Sequence, residues 1–179
     1  NLGTAFTQDS FDVVARLGGS LPEGAVWATF EESAEAASMA GVEIFGTLST
    51  THRIIAGLEL FDIRKDNPNF TYIGNNLYFT HIARDTGQFW TGIALVNISS
   101  SAQVVRIRAF GDNGTELTGK EVTLDANTKK VELAEDFLEG IGSPANVDWV
   151  LVEADSSIVG FELFGTWDNK KIAGLEATT

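Results

Sequence analysis

Two segments of this chain occur twice. Gly41-Val42-Glu43-Ile44-Phe45-Gly46-Thr47 returns as Gly160-Phe161-Glu162-Leu163-Phe164-Gly165-Thr166, and Ile55-Ala56-Gly57-Leu58-Glu59 returns unchanged as Ile172-Ala173-Gly174-Leu175-Glu176. Self-similarity of this kind marks a supersecondary unit used more than once. Further upstream the likeness continues: Asp9 falls on Asp125, Leu17 on Leu133 and Trp27 on Trp149. Nothing before residue 60 resembles Tyr72 to Asp112. The expectation is therefore the C-terminal half of one unit over 1–60 and a complete unit over 61–179. A half unit does not bury its own face, so it must pack on the full unit, on a neighbouring chain, or on a further segment.

Each recurring pair reads as a β-hairpin. Asp168-Asn169 is a turn pair suited to positive φ. Pairing outward from it sets Gly165 opposite Ile172 and Phe164 opposite Ala173. The same rule sets Gly46 opposite Ile55 and Phe45 opposite Ala56. The first loop is longer by an even number of residues, which keeps every side chain on its original face.

Other strands are expected over Leu77–Ile82, Phe89–Asn97, Gln103–Phe110, Glu116–Leu124 and Trp149–Val152, with turn signals at Gly111-Asp112-Asn113-Gly114 and Asn97 to Ser101. Short helical stretches are expected at Glu31–Met39 and Ala134–Leu138. Neither is long enough for a βαβ crossover. The predicted fold is an all-β antiparallel β-sandwich, Ig-like or related, with one or two short helices.

With 44% hydrophobic and 10% aromatic residues the chain can build a core. A net charge of −13 disfavours phosphate backbones and anionic lipid as partners. There is no Cys, so disulfides, thiolate metal sites and Cys nucleophiles are excluded. No apolar run is long enough to span a bilayer as a helix. Starting at Asn1, the chain reads as processed or cut from something larger.

Leu77-Tyr78-Phe79-Thr80-His81-Ile82, the strand Phe89-Trp90-Thr91 through Val96-Asn97, Trp149 and the Gly160–Gly165 hairpin strand together resemble β-sandwich repeat modules of secreted and surface-attached bacterial proteins. Those modules often carry Pro where this chain has Thr80. The resemblance implies an extracellular or periplasmic structural or adhesive role, and it transfers no catalytic residues.

Several residues are candidates for chemistry. Glu43 and Glu162 occupy equivalent strand positions, as do Glu59 and Glu176. Two carboxylates across a cleft would suit a hydrolase acting on glycosides. Residues that recur with a unit more often serve its fold, and a backbone amide or one of Arg53, Arg106 and Arg108 would satisfy such a carboxylate. His52 is expected in a solvated loop, and His81 in a strand with a hydrogen bond to a turn. No Gly-x-Ser-x-Gly elbow accompanies them. Asp66, Asn67 and Asn69 form an oxygen-rich linker where calcium is the one cofactor to consider, although the same residue types simply make turns. Trp27 and Trp149 are expected in the core. Trp167 flanks a hairpin tip and is the candidate for an exposed aromatic contact with a protein or a glycan at a cell surface. Sequons at Asn69, Asn97 and Asn113 matter only in a glycosylating host. The expected role is a non-catalytic structural or adhesive module, with pairing of edge strands into a homodimer as one assembly route. A carbohydrate-binding module is the alternative, and a carboxylate hydrolase ranks third.

Overall fold

The computed structural model describes residues 42–46, 55–59 and 73–179. All belong to one compact unit, Ala34–Thr179. The expected helix at 31–39, Trp27 and the upstream part of the first half unit lie outside the described residues.

The recurring segments form hairpins. Strands β1 (Val42–Gly46) and β2 (Ile55–Glu59) pair antiparallel, with Phe45 opposite Ala56 and Gly46 opposite Ile55. At the other end of the chain, Phe164 stands opposite Ala173 and Gly165 opposite Ile172. Both registers are those expected from outward pairing. Among the described residues β1 and β2 make their own two-stranded sheet. They add no strand to the main sheet.

That main sheet contains β3 (Ile73–Phe79), β4 (Phe89–Asn97), β5 (Gln103–Phe110), β6 (Glu116–Leu124), β7 (Lys129–Leu133), β8 (Trp149–Thr166) and β9 (Ile172–Glu176). Every pairing is antiparallel. One short helix, α1 (Ala134–Phe137), follows β7. The all-β antiparallel expectation holds, and the sheet curls into a half-barrel.

β8 produces the curl. It is 18 residues long, and its two halves serve different neighbours. Trp149–Ala154 pairs with β5, and Ile158–Thr166 pairs with β4. On its other edge β8 carries β3 and then β9. The register against β3 jumps from Gly74 opposite Ile158 to Asn76 opposite Glu153. The extra residues of β8 bulge out there and bend the strand, as bulges do. β4 and β5 follow one another in the chain but do not pair; each lies against a different half of β8, so the connection between them spans the bend.

The core lies inside this curl. Thr91, Ile93, Leu95 and Asn97 share the inward parity of β4, and Gln103, Val105, Ile107 and Ala109 that of β5; all are buried. Leu77, Phe79, Val150, Val152, Ile158 and the α1 residue Phe137 belong to the same cluster. The two polar members at the bend, Asn97 and Gln103, satisfy one another and the local backbone. Asn97, at 0% exposure, donates through Nδ2 to the carbonyls of Ser101, Leu124 and Asp125 (2.9, 3.1 and 2.9 Å). Its Oδ1 accepts from Ser99 N–H and Gln103 Nε2 (3.0 and 2.8 Å). Gln103 Oε1 accepts from both the N–H and the hydroxyl of Ser156 (3.0 Å each), tying down the bulge. A buried Asn97 is no glycan acceptor.

Two expectations are corrected. Trp149 is half-buried rather than core: it lies on the outer face, stacked on Phe110 with centroids 3.8 Å apart and planes at 3°. The strand expected over 77–82 runs instead over 73–79, because Thr80 to Ala83 leaves the sheet as a strap.

Candidate functional site

The strap crosses the inner face of β8, where the second copy of the recurring segment lies. Register places Glu162 opposite Ile93 of β4 and Leu175 of β9. Directly opposed residues share a face, so Glu162 points the same way as the core residue Ile93. Its exposure is 1%. Oε1 accepts from the backbone N–H of His81 at 3.1 Å. Among the described residues Oε2 has no hydrogen-bond partner. Burial pushes the Glu162 carboxyl up to about 8, and the His81 amide opposes that only in part. At neutral pH the group is therefore a neutral carboxylic acid, which suits an apolar surrounding better than a carboxylate would.

Two further contacts hold the strap. Ala83 N–H donates to Thr91 Oγ1 at 3.0 Å, and the His81 ring lies on Phe164 with centroids 4.4 Å apart. Ile82 buries its side chain in the core between them. His81 itself is exposed and lies outside β3. This corrects its expected strand position, although a backbone hydrogen bond does tie it to the fold. The donor that satisfies Glu162 is a main-chain amide rather than an arginine. Arg108 is engaged elsewhere, gripping Glu116 with Nε and Nη2 (2.8 and 2.6 Å) and lying 3.6 Å from Glu153. That grip raises the guanidinium and lowers the Glu116 carboxyl.

Trp167 is exposed as expected, at 48%. It is also anchored: its indole Nε1–H donates to the Thr86 carbonyl (2.9 Å) and its backbone N–H to Gln88 O (3.1 Å). The ring is therefore held to the Thr86–Gln88 loop. The adjoining turn is closed by Asp168, whose carboxylate accepts from Thr166 and Lys170 and is held at about 2 by those donors. Asn169 there has φ 55°, the positive value that its turn position demands.

The remaining candidates do not gather around this site. Asp66, Asn67 and Asn69 lie outside the described residues, as do His52, Arg53 and the side chains of Glu43 and Glu59. Among the described residues no group of three or more His, Asp or Glu stands ready to hold a metal. Asp112, in a turn considered as an oxygen-rich loop, is spent on Arg84 (2.6 Å), which also pairs with Asp148. The sequence reading passed over Asn97 and Gln103 as functional parts of the bend. Their signal was available: both are polar residues on the inward parity of otherwise apolar strands.

No protein-family model matches the chain. No curated protein matches it either. A solved structure described as the crystal structure of Thermotoga maritima 1070 aligns with 58% of this chain and 92% of its own, at 11% identity and a TM-score of 0.47.

Proposed function

We propose that this chain is a non-catalytic structural or adhesive module of an exported bacterial protein, acting in protein assembly or surface interaction. In this reading the two halves of the curled sheet amount to an antiparallel sandwich related to Ig-like folds. The observation that carries it is where the recurring residues go. A Cβ built on Gly174 would stand 2.8 Å from Leu58 Cδ2 and 2.8 Å from Leu163 Cδ2. Leu58 belongs to the first hairpin and Gly174 to the second. The repeated sequence is thus used to seat one hairpin on another within the chain, the kind of contact by which repeat modules stack. Glu162 supports the same view. As a hydrolytic acid or base it would need to reach a substrate, and its carboxyl is enclosed beneath the strap.

A second reading rests on Trp167. An exposed indole anchored through its own N–H presents a face that a sugar ring can stack on. Light scattering from micromolar to millimolar concentration, paired with a glycan array, separates the two. Concentration-dependent association that is indifferent to sugar supports the assembly role. A chain that stays monomeric throughout and binds a glycan only while Trp167 is intact overturns it in favour of carbohydrate recognition.

A further inference from the structure

Four fastenings hold the strap Thr80–Ala83 across β8. These are the His81 amide on Glu162 Oε1, the Ala83 amide on Thr91 Oγ1, the His81 ring on Phe164, and Ile82 in the core. The first ends on a carboxyl whose second oxygen is buried and unpartnered among the described residues. An ionised carboxylate needs several donors or water, and here one amide reaches it. Neutral, the group can stay enclosed. Charged, it gains most by letting water in, and the strap is what stands between it and solvent.

We propose that Thr80–Ala83 is a latch over the inner face of the β8–β9 hairpin, kept closed by protonated Glu162 and opened when that carboxyl ionises.

The surroundings leave Glu162 in control of the latch. On the strap, His81 is the titratable residue. β4 contributes Thr91 and Ile93 at the neighbouring positions and contains no titratable residue. β9 contributes Leu175, while Glu176 stands opposite Phe161 and so on the other face. From β3, Leu77 and Phe79 approach at Gly160. β2 meets β9 through the apolar Leu58. Among the described residues the Glu162 carboxyl has the His81 amide as its hydrogen-bond donor and no Lys or Arg paired with it. Burial of Ile82 makes the closed state the resting one. Opening would uncover Phe164 and Thr91 next to Phe89 and Leu175, which are already exposed, and so enlarge one apolar patch.

Amide hydrogen exchange on the intact chain tests this, with each rate divided by its intrinsic value. If opening frees Glu162 to titrate normally, linkage makes the open fraction grow about tenfold per pH unit between about pH 5 and 8 and level off above. Protection at His81 and Ala83 should fall by that factor while Val152, flanked in β8 by β3 and β5, stays better protected. Glu162→Gln should abolish the slope. Thr91→Val should lower protection at both strap amides by a constant factor on the order of ten at every pH, with the slope unchanged. Strap amides that exchange no faster than Val152 would overturn the latch, because opening would then be global unfolding. A pH-independent strap in the unmodified chain would overturn it equally, whether or not either variant folds.

Discussion

Leu58 of the first hairpin occupies the space that a side chain on Gly174 of the second would need. Gly174 is the counterpart of Gly57 in the recurring sequence, so glycine at this position makes room for another hairpin's leucine. Leu58 is 4% exposed. Truncating it to Ala should destabilise the fold by about 2–4 kcal/mol, the usual range for a buried leucine. Denaturant unfolding measures this, and a loss below about 0.5 kcal/mol would mean the contact contributes little.

Gly165 explains the second glycine of the signature. A Cβ there would meet the Lys171 carbonyl at 2.6 Å and the Trp90 ring at 2.7 Å. Neither is the end of a flexible chain. Gly165→Ala should therefore cost about 2–3 kcal/mol by overpacking. Gly174→Ala should cost less, since the two leucine tips it meets can rotate aside. The order of the two midpoints in urea checks the argument.

The bend of β8 depends on Asn97. Asn97→Ala removes the side-chain donor from the buried Leu124 carbonyl and the acceptor from the Gln103 amide, while the Ser101 and Asp125 carbonyls keep the Ser99 and Thr128 hydroxyls. The expected cost is about 2 kcal/mol or more, given one to three for each unsatisfied buried group. The loss should appear as increased exchange at Ser156, whose N–H Gln103 holds.

Stability should depend on pH in two opposed ways. Glu162 has its folded value raised from 4.5 to about 8. Below the unfolded value both states hold the proton and the full stability is present. Between 4.5 and 8 only the unfolded chain ionises, so stability falls as pH rises, by up to about 1.4 kcal/mol per unit. Asp112, Glu116 and Asp168 are lowered by their donors, so their contributions are lost as pH falls through their folded values. Maximum stability should therefore sit on the acid side of neutrality. In Glu162→Gln the alkaline decline should be much reduced, as followed by thermal unfolding from pH 4 to 9.

Trp167 offers a contrast between surface and fold. Its anchor is one indole hydrogen bond, and roughly half the ring faces solvent. Trp167→Phe should keep stability within about 1 kcal/mol of the parent, because a single solvent-accessible hydrogen bond is lost. Any glycan binding that depends on the indole would drop sharply in the same variant.

Much of this fold was legible in the residues. The strands Phe89–Asn97, Gln103–Phe110 and Glu116–Leu124 fall where alternation and turn residues put them. The two hairpin registers follow from repeated glycines and an Asp-Asn turn. What escaped the reading depended on distant partners. Glu153 to Ser157 reads as a loop between two strands, yet Gln103 holds it as a bulge within one. Lys129–Leu133 forms an edge strand although Val131 and Leu133 face solvent, so no alternation announces it. Thr80–Ile82 reads as the end of a strand, and the segment through Ala83 leaves the sheet because Glu162 and Thr91, far along the chain or across the loop, take its amides. Recurrence of Glu162 flagged the residue, but its burial and its single donor are properties of the folded chain alone.

A disulfide between the two recurring hairpins reports whether one seats on the other. The chain has no cysteine, so Leu58→Cys combined with Gly174→Cys introduces the only two thiols. A Cβ on residue 174 would stand 2.8 Å from Leu58 Cδ2, so the two positions are direct neighbours across the hairpins. The account predicts that the double variant oxidises to a monomer with no free thiol, seen by non-reducing electrophoresis and intact mass. Thiols that stay free under conditions that oxidise an exposed control pair would contradict it.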